Sequence, residues 1–174
     1  TNGAEREPDV ITLFLVDCNA AGLSRRNFPT IDGGRASEIA FDDVRIGRDA
    51  AIGAIDQGLP LIECAIDHGI AAVCAEAVGA MDVLQAHTLE HLKTRQQFGQ
   101  PIGQFQVLQH RAVEMFMACE QARSMAYMAT LKLTDPSDAR RMRAVSAAMA
   151  KVGEAAHFVG QQSIQLHGGV GMTD

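Results

Sequence analysis

LPLIECAIDHGIAAVCAEAVGAMDVLQAHTLEHLKTRQ, residues 59–96, is the stretch whose reading decides the fold. It is rich in Ala, Leu, Met and Glu, which lose little freedom in a helix, and only Gly69 and Gly79 weaken it. It predicts one long helix. Its end is expected at Phe98-Gly99-Gln100-Pro101, where glycine permits a left-handed cap and proline cannot continue the preceding helix.

Working downstream, a second helix is predicted from about Gln104 to Leu133, apolar on most sides as befits a helix surrounded by partners. Asp135-Pro136-Ser137-Asp138 then gives a start signal: a capping carboxylate, proline in the first turn, and a second acid where the helix dipole favours negative charge. The third helix carries Met142, Val145, Met149, Val152, Ala156, Val159, Ser163 and Leu166, alternating at spacings of three and four. That seam fits antiparallel bundle packing, with Ala156 and Ser163 small enough to let a neighbour approach. Three long helices with broad apolar faces ask for a fourth. The sequence stops at Asp174, just past the third, so a fourth helix is expected to have been removed or to come from another chain.

Upstream the regime differs, and the change falls near residue 55, giving an expected division into residues 1–54 and 55–174. Ile11-Thr12-Leu13-Phe14-Leu15-Val16, bounded by Pro8-Asp9 and Asp17, reads as a buried strand, with a second strand to follow. The linking segment, with Gly22, Pro29, Asp32, Gly33 and Gly34, has turn chemistry throughout. Between Gly34 and Ile46, residues Ile39, Phe41, Val44 and Ile46 predict a half-buried antiparallel strand, bulged at Asp42-Asp43. So few strands make no stable sheet in water, so residues 1–54 are read as the tail of a β-domain. The fold class is therefore mainly α: long antiparallel helices of a four-helix bundle with the fourth missing, preceded by a β remnant.

The bulk numbers exclude some functions. A net charge of -6, with 15 basic residues scattered among 21 acidic ones, argues against a nucleic-acid surface. The densest basic run, Arg140-Arg141-Met142-Arg143, is read as the solvated face of a helix. Cys18, Cys64, Cys74 and Cys119 form no Cys-x-x-Cys pair, three sit in apolar helical patterns, and reduced, buried thiols in a cytosolic protein are expected. No apolar stretch approaches the ~20 residues of a membrane span, and the start, Thr1-Asn2-Gly3-Ala4-Glu5-Arg6, lacks a signal-peptide core. A cytoplasmic protein is expected, and the initial Thr suggests a beginning partway through a longer product.

Two stretches offer chemistry. In Arg95-Gln96-Gln97-Phe98-Gly99-Gln100-Pro101-Ile102, the arginine ends a helix, where a cation offsets the dipole. The functional alternative is a guanidinium forking onto a phosphate, with Phe98 as a stacking surface and the Gln106 amide as a hydrogen-bonding partner. In Gln165-Leu166-His167-Gly168-Gly169-Val170-Gly171, three glycines allow bare N–H groups against a ligand; the alternative is a plain helix cap and loop. His87 and His91 share a helix face, but no third metal ligand is evident, and Glu90 is wrongly placed for a metalloprotease motif, so no metal is expected. His110 and His157 belong to no nucleophilic constellation.

Together, Leu92 through Ile102 with Phe105-Gln106, followed by Gln165-Leu166-His167-Gly168-Gly169, closely resemble the signature pair of the acyl-CoA dehydrogenase family. Phe41-Asp42-Asp43-Val44-Arg45-Ile46 resembles the strand leading out of that family's middle β-domain. The resemblance implies a homotetramer or related assembly with FAD at a subunit interface. It implies that Arg95, Phe98 and Gln106 touch the FAD of a neighbouring subunit, and that Gln165, Leu166, His167, Gly168 and Gly169 contact its pyrophosphate and adenosine portion. It further implies acyl-CoA oxidation to the 2-enoyl-CoA, in which a Glu takes the α-proton and a hydride leaves for flavin N5, with electron-transferring flavoprotein as acceptor.

Two departures stand out. The family's Asp-x-x-Arg element beside the thioester reads Asp67-His68-Gly69-Ile70 here, so Asp67 and Ile70 become the substrate-binding candidates without an arginine. The branch of the family with its base on this helix would need Glu where Gly69 stands, so the base is expected after Asp174 and no catalytic residue is assigned. The alternative reading is a catalytically silent assembly subunit of a hetero-oligomer; a plain helical interaction module is the third.

Overall fold

A computed structural model describes residues 10–172, and the chain divides into two compact units, Thr1–Glu63 and Cys64–Asp174. The polar start Thr1–Arg6 and the Pro8-Asp9 boundary lie outside the described residues, as does everything expected beyond Asp174.

The first unit is built of two antiparallel ribbons. Strand β1, Leu13–Phe14, pairs with β4, Ala51–Ile52. Strand β2, Leu23–Pro29, pairs along its whole length with β3, Arg35–Phe41, in a register that sets Arg26 opposite Glu38 and Asn27 opposite Ser37. The Arg26–Glu38 ion pair (2.6 Å) is exposed on both sides, so it steers register more than it stabilises. The turn at residues 30–34 is closed by Asp32, whose carboxylate accepts the Gly34 N–H (3.1 Å) and the Thr30 hydroxyl. The Thr30 bond foremost holds the Asp32 carboxyl below its ordinary range.

Three expectations need correction in this unit. The Ile11–Val16 run is not a buried strand: only Leu13 and Phe14 join a ladder, Ile11 makes a lone parallel bridge to Gln57, and Leu15 is 73% exposed, because a two-residue ribbon covers too little surface to bury the run. Residues 22–34 are not turn throughout; 23–29 form a strand whose central Ser24, Arg25, Arg26 and Asn27 are polar toward both faces, so no alternating apolar signal marks them. The third strand is not half-buried, with Ile39 50% and Phe41 62% exposed, and it ends at Phe41 instead of bulging. The chain leaves the ladder where Asp43 takes a left-handed φ of 46°, just after the Asp42 N–H donates to the Gly22 carbonyl (2.8 Å).

The second unit is the helical bundle. Helix α1 spans Leu59–Thr94, α2 Gln106–Lys132 and α3 Asp138–His167; a short hairpin, β5 Gln96–Gln97 with β6 Gln100–Pro101, and a tight turn at Ile102–Gln104 join α1 to α2. Helices α2 and α3 approach most closely, as Ala122, Ala126 and Ala129 on one and Ala148 and Ala155 on the other are buried and leave no bulk between the backbones. Met81, Met115, Val145 and Val159 fill the wider spaces, each at most 1% exposed. No described helix is long and apolar enough to cross a membrane.

The seam of α3 is shifted from expectation. Val145, Val152, Val159, Ser163 and Leu166 are buried, but Ala148 and Ala155 take the places expected of Met149, which is exposed, and Ala156, which is half-buried. The cap also differs. Ser137 occupies the N-cap position without a side-chain cap, and Asp135 instead accepts from the Ser137 N–H, Lys132 and Arg140, which together hold its carboxyl far below the usual range, Arg140 most of all. Of the four cysteines, Cys74 and Cys119 are buried, and burial pushes both thiols up; Cys64 is half-buried and Cys18 exposed, contrary to the expectation of buried thiols.

The largest correction concerns the basic run. Arg141 is not on a solvated face: its side chain and that of Asp67 are each 8% exposed, and Arg141 Nε donates to Asp67 Oδ2 at 2.8 Å. Arg141 also reaches Asp138 one turn away, and Asp67 first, then Asp138, raises its pKa. The seam explains the inward turn, because Arg141 lies four residues before Val145 on the same stripe. The pair fixes the start of α3 against the start of α1. Removing one partner strands a buried charge, so Asp67→Ala or Arg141→Ala should cost about 3–5 kcal/mol in denaturant unfolding, whereas Asp67→Leu combined with Arg141→Met should recover most of it. Full additivity of the two single losses would overturn this account.

Candidate functional site

The end of the bundle opposite Asp67 and Arg141 gathers the carboxyl ends of α1 and α3 and the amino end of α2. At the first of these, Arg95 caps α1 through its backbone: its N–H donates to the His91 carbonyl (2.9 Å), and its carbonyl accepts the Ile102 N–H (2.8 Å). The guanidinium is left over. It is exposed, and among the described residues it has no ion pair or side-chain hydrogen bond.

The expected simple cap after α1 is instead a two-residue hairpin turn, with Phe98 at φ 56° and Gly99 at φ 81°. Glycine is at ease there, but phenylalanine is not, and a bulky residue in this region is a mark of local strain. The strained ring is also 90% exposed, touching Phe105 edge-on at 6.0 Å between centroids. Past the turn, Gly103 backs onto the Leu92 carbonyl so closely that a Cβ there would lie 2.8 Å from the oxygen, and Gln106 opens α2 as an exposed amide.

At the end of α3, Leu166 is a core residue at 4% exposure, whereas Gln165 is exposed. Gly168 turns the chain with φ 63°, and a tight turn runs through Met172. Gly169 has open space where a side chain would stand; Gly171 has none, since a Cβ there would meet the Ile164 carbonyl at 2.8 Å. The turn is thus bare on the Gly169 side and closed on the other.

What joins these corners is a contact that sequence reasoning missed. His91 and His167 stack with ring centroids 4.4 Å apart and 27° between planes. His167 Nδ1–H donates to the Ser163 carbonyl at 2.8 Å, fixing the ring. A second tie runs from α2, where Arg111 donates to Gln162 Oε1 at 2.7 Å. The i, i+4 spacing of His87 and His91 drew attention to the wrong partner: His87 is exposed, while His91 turns to α3. A signal was present, since two half-apolar rings close the same helical ends as the two motifs.

The substrate-binding candidates lie elsewhere. Asp67 is buried with its carboxylate engaged by Arg141, and Ile70 is half-buried against the core. Gly69, between them in sequence, is exposed with nothing within 4 Å of a Cβ.

Burial lowers the His91 pKa below 6.5, and the nearby His167 and Arg95 add to the effect. The folded state therefore binds fewer protons than the unfolded one, so His91 contributes stability that is complete above about pH 6.5 and is lost as pH falls below it toward the folded value. Thermal unfolding should show this acid loss, and His91→Phe should shallow it; an unchanged pH slope would exclude His91 as its source.

Comparison with known proteins then bears on this geometry. The pattern described as "Acyl-CoA dehydrogenase, C-terminal domain" matches residues 56–174. The short-chain-specific acyl-CoA dehydrogenase of Megasphaera elsdenii is 27% identical over 169 residues, 94% of this chain and 43% of its own length. The butyryl-CoA dehydrogenase structure from Megasphaera elsdenii superposes with a TM-score of 0.89 at 24% identity, over 99% of this chain and 45% of that one. A structure of PigA with FAD and proline aligns at a TM-score of 0.83 and 30% identity, over 93% of this chain and 43% of that one. The chain therefore spans less than half the length of these relatives. With the family pattern covering the entire helical bundle, the chain belongs to the acyl-CoA dehydrogenase family.

Proposed function

We propose that the complete protein is an FAD-dependent acyl-CoA dehydrogenase in which residues 55–174 supply cofactor contacts and the oligomer interface, and residues 1–54 close a middle β-domain. The observation that carries this reading is the convergence at one bundle end of a guanidinium, Arg95, that is unpaired among the described residues, and a bare turn, Gly168-Gly169, joined by the His91–His167 stack. PigA, which this chain resembles, holds FAD.

The residues fit a dinucleotide. Arg95 offers a charged fork for a diphosphate, Gly169 leaves room for backbone N–H groups to approach it, and Phe98 presents an uncovered ring face for a planar base. Gln106 and Gln165, both exposed, offer amides at the margins, while Leu166 and His167 hold the turn from beneath. When bound, the flavin supplies the hydride acceptor. The reading extends to self-association as a dimer of dimers or a related hetero-oligomer, to acyl-CoA as substrate in fatty acid metabolism, and to electron-transferring flavoprotein as acceptor in the cytoplasm.

A second reading draws on α1. Because Arg141 holds Asp67 inward and Ile70 packs on the core, this part of the helix brings no free charge to a thioester. That favours either an acyl group handled without a guanidinium or a catalytically silent assembly subunit. The two are separated by adding a panel of acyl-CoA thioesters to the anaerobic full-length protein: bleaching of bound flavin supports the enzyme, and retained colour with every thioester supports the silent subunit.

The cofactor contacts are tested in the same full-length protein. Arg95→Ala should weaken FAD binding at least about tenfold, the loss expected of a charge-assisted phosphate contact, and Gly169→Val should weaken it by filling the open side of the turn. Unchanged flavin content in both would sink the reading. Phe98→Asn should move stability and binding in opposite directions: asparagine tolerates the left-handed turn, so unfolding should require roughly 1 kcal/mol more, while flavin is held less well. Parallel losses of stability and flavin would instead make Phe98 a structural residue.

A further inference from the structure

We infer that the stacked imidazoles of His91 and His167 are a positioning clasp, which sets the axial place of the Gly168 turn against the Arg95 end of α1 and thereby determines cofactor affinity. The consequence for affinity rests on the flavin reading above; the clasp itself does not.

The second half of α3 meets the bundle through Val152, Ala155 and Val159, apolar contacts that are non-directional, and Gly153 and Gly160 in the same stretch carry no side chains to key into a neighbour. Such a face resists separation far more than it resists a small axial shift. Directional contacts must therefore fix the end of the helix, and those described there include the His91–His167 stack to α1 and the Arg111–Gln162 hydrogen bond to α2.

Of the two, the stack acts nearer the site. His167 immediately precedes Gly168, and its ring is locked by its own bond to the Ser163 carbonyl (2.8 Å), so its position is transmitted to the turn. His91 bears the carbonyl that accepts the Arg95 N–H. One ring pair thus couples the backbone that carries the guanidinium to the backbone that carries the bare glycines. Offset aromatic pairs at this separation are attractive without requiring charge, which suits a half-buried place beside Arg95.

The test uses the full-length protein and four variants. His91→Ala should raise the FAD dissociation constant roughly two- to twelve-fold, the equivalent of a lost aromatic pair, and His91→Phe, which keeps a ring, should restore it to within about twofold of the parent. Val145→Ala, a core truncation at the far end of α3, should lower the melting temperature without moving the dissociation constant. Hydrogen exchange of the Gly168–Gly171 amides reads the clasp without flavin: His91→Ala should speed it while core amides of α2 stay protected, and His91→Phe should not. Unaltered exchange in His91→Ala overturns the clasp. Faster exchange with an unaltered dissociation constant overturns its role in affinity, and if Arg95→Ala then also binds FAD normally, the error lies in the flavin reading.

Discussion

Helices α1 and α3 run in the same direction, and side-chain pairs fix them near both ends. Asp67 meets Arg141 near their starts, and His91 meets His167 near their finishes. The intervals are 24 residues on α1 (67 to 91) and 26 on α3 (141 to 167), or about 36 and 39 Å of helix at 1.5 Å per residue. A slip of one turn would break both contacts together, stranding a buried charge at one end and unstacking a ring pair at the other. This double constraint allows mostly small, smooth side chains to fill the interior while the register stays single-valued.

Helix α2 runs against both neighbours and is held to them by different chemistry. Toward α3 it presents Ala122, Ala126 and Ala129, which allow close approach and leave little that is directional apart from Arg111 and Gln162. Toward α1 it is fixed by Arg123, which reaches both carboxylate oxygens of Asp82 (3.1 and 2.6 Å) and also Glu120. These contacts, first Asp82 and then Glu120, raise the Arg123 pKa. Being about a third exposed, that fork specifies geometry more than it contributes stability. Outside these seams α2 still shows Val113, Phe116, Met117, Tyr127 and Leu131 to the surface, the broad apolar character legible in its composition.

Much of this was readable from the residues, and the failures have physical causes. The three helices were visible because long runs of good helix formers overwhelm local exceptions such as Gly69 and Gly79. Strand β2 was not, since Arg25, Arg26 and Asn27 give no apolar alternation and only pairing with β3 makes them extended. Arg141 was misread by its type, although its spacing from Val145 put it on the buried stripe; charge is a weak guide to exposure when a carboxylate waits on another helix, and that partner is invisible in a linear reading. The same limit hid His91 and His167, whose residues are far apart in sequence. Motif residues such as Arg95 and Gly169 were legible individually, and their sharing of one bundle end was not.

The places where local rules are broken are informative for this reason. Phenylalanine in a left-handed turn, with its ring 90% exposed, is unfavourable on both counts, and an alanine-rich bundle could have ended its helix with asparagine or glycine at far lower strain. Among the described residues Arg95 makes no side-chain pair, although acids abound in a chain of net charge -6. Gly169 leaves a void beside a turn that is otherwise tightly closed by Gly171. Each feature alone has a bland explanation. All three occur at the same end of the bundle, where α1 and α3 are fixed to each other by stacked rings, while the opposite end satisfies its charges internally through Asp67, Arg141 and Asp138. That contrast between an end with a buried, internally paired charge and an end that is strained, charged and bare is what the proposed site rests on, since an extended anion bearing a planar group would suit the second end.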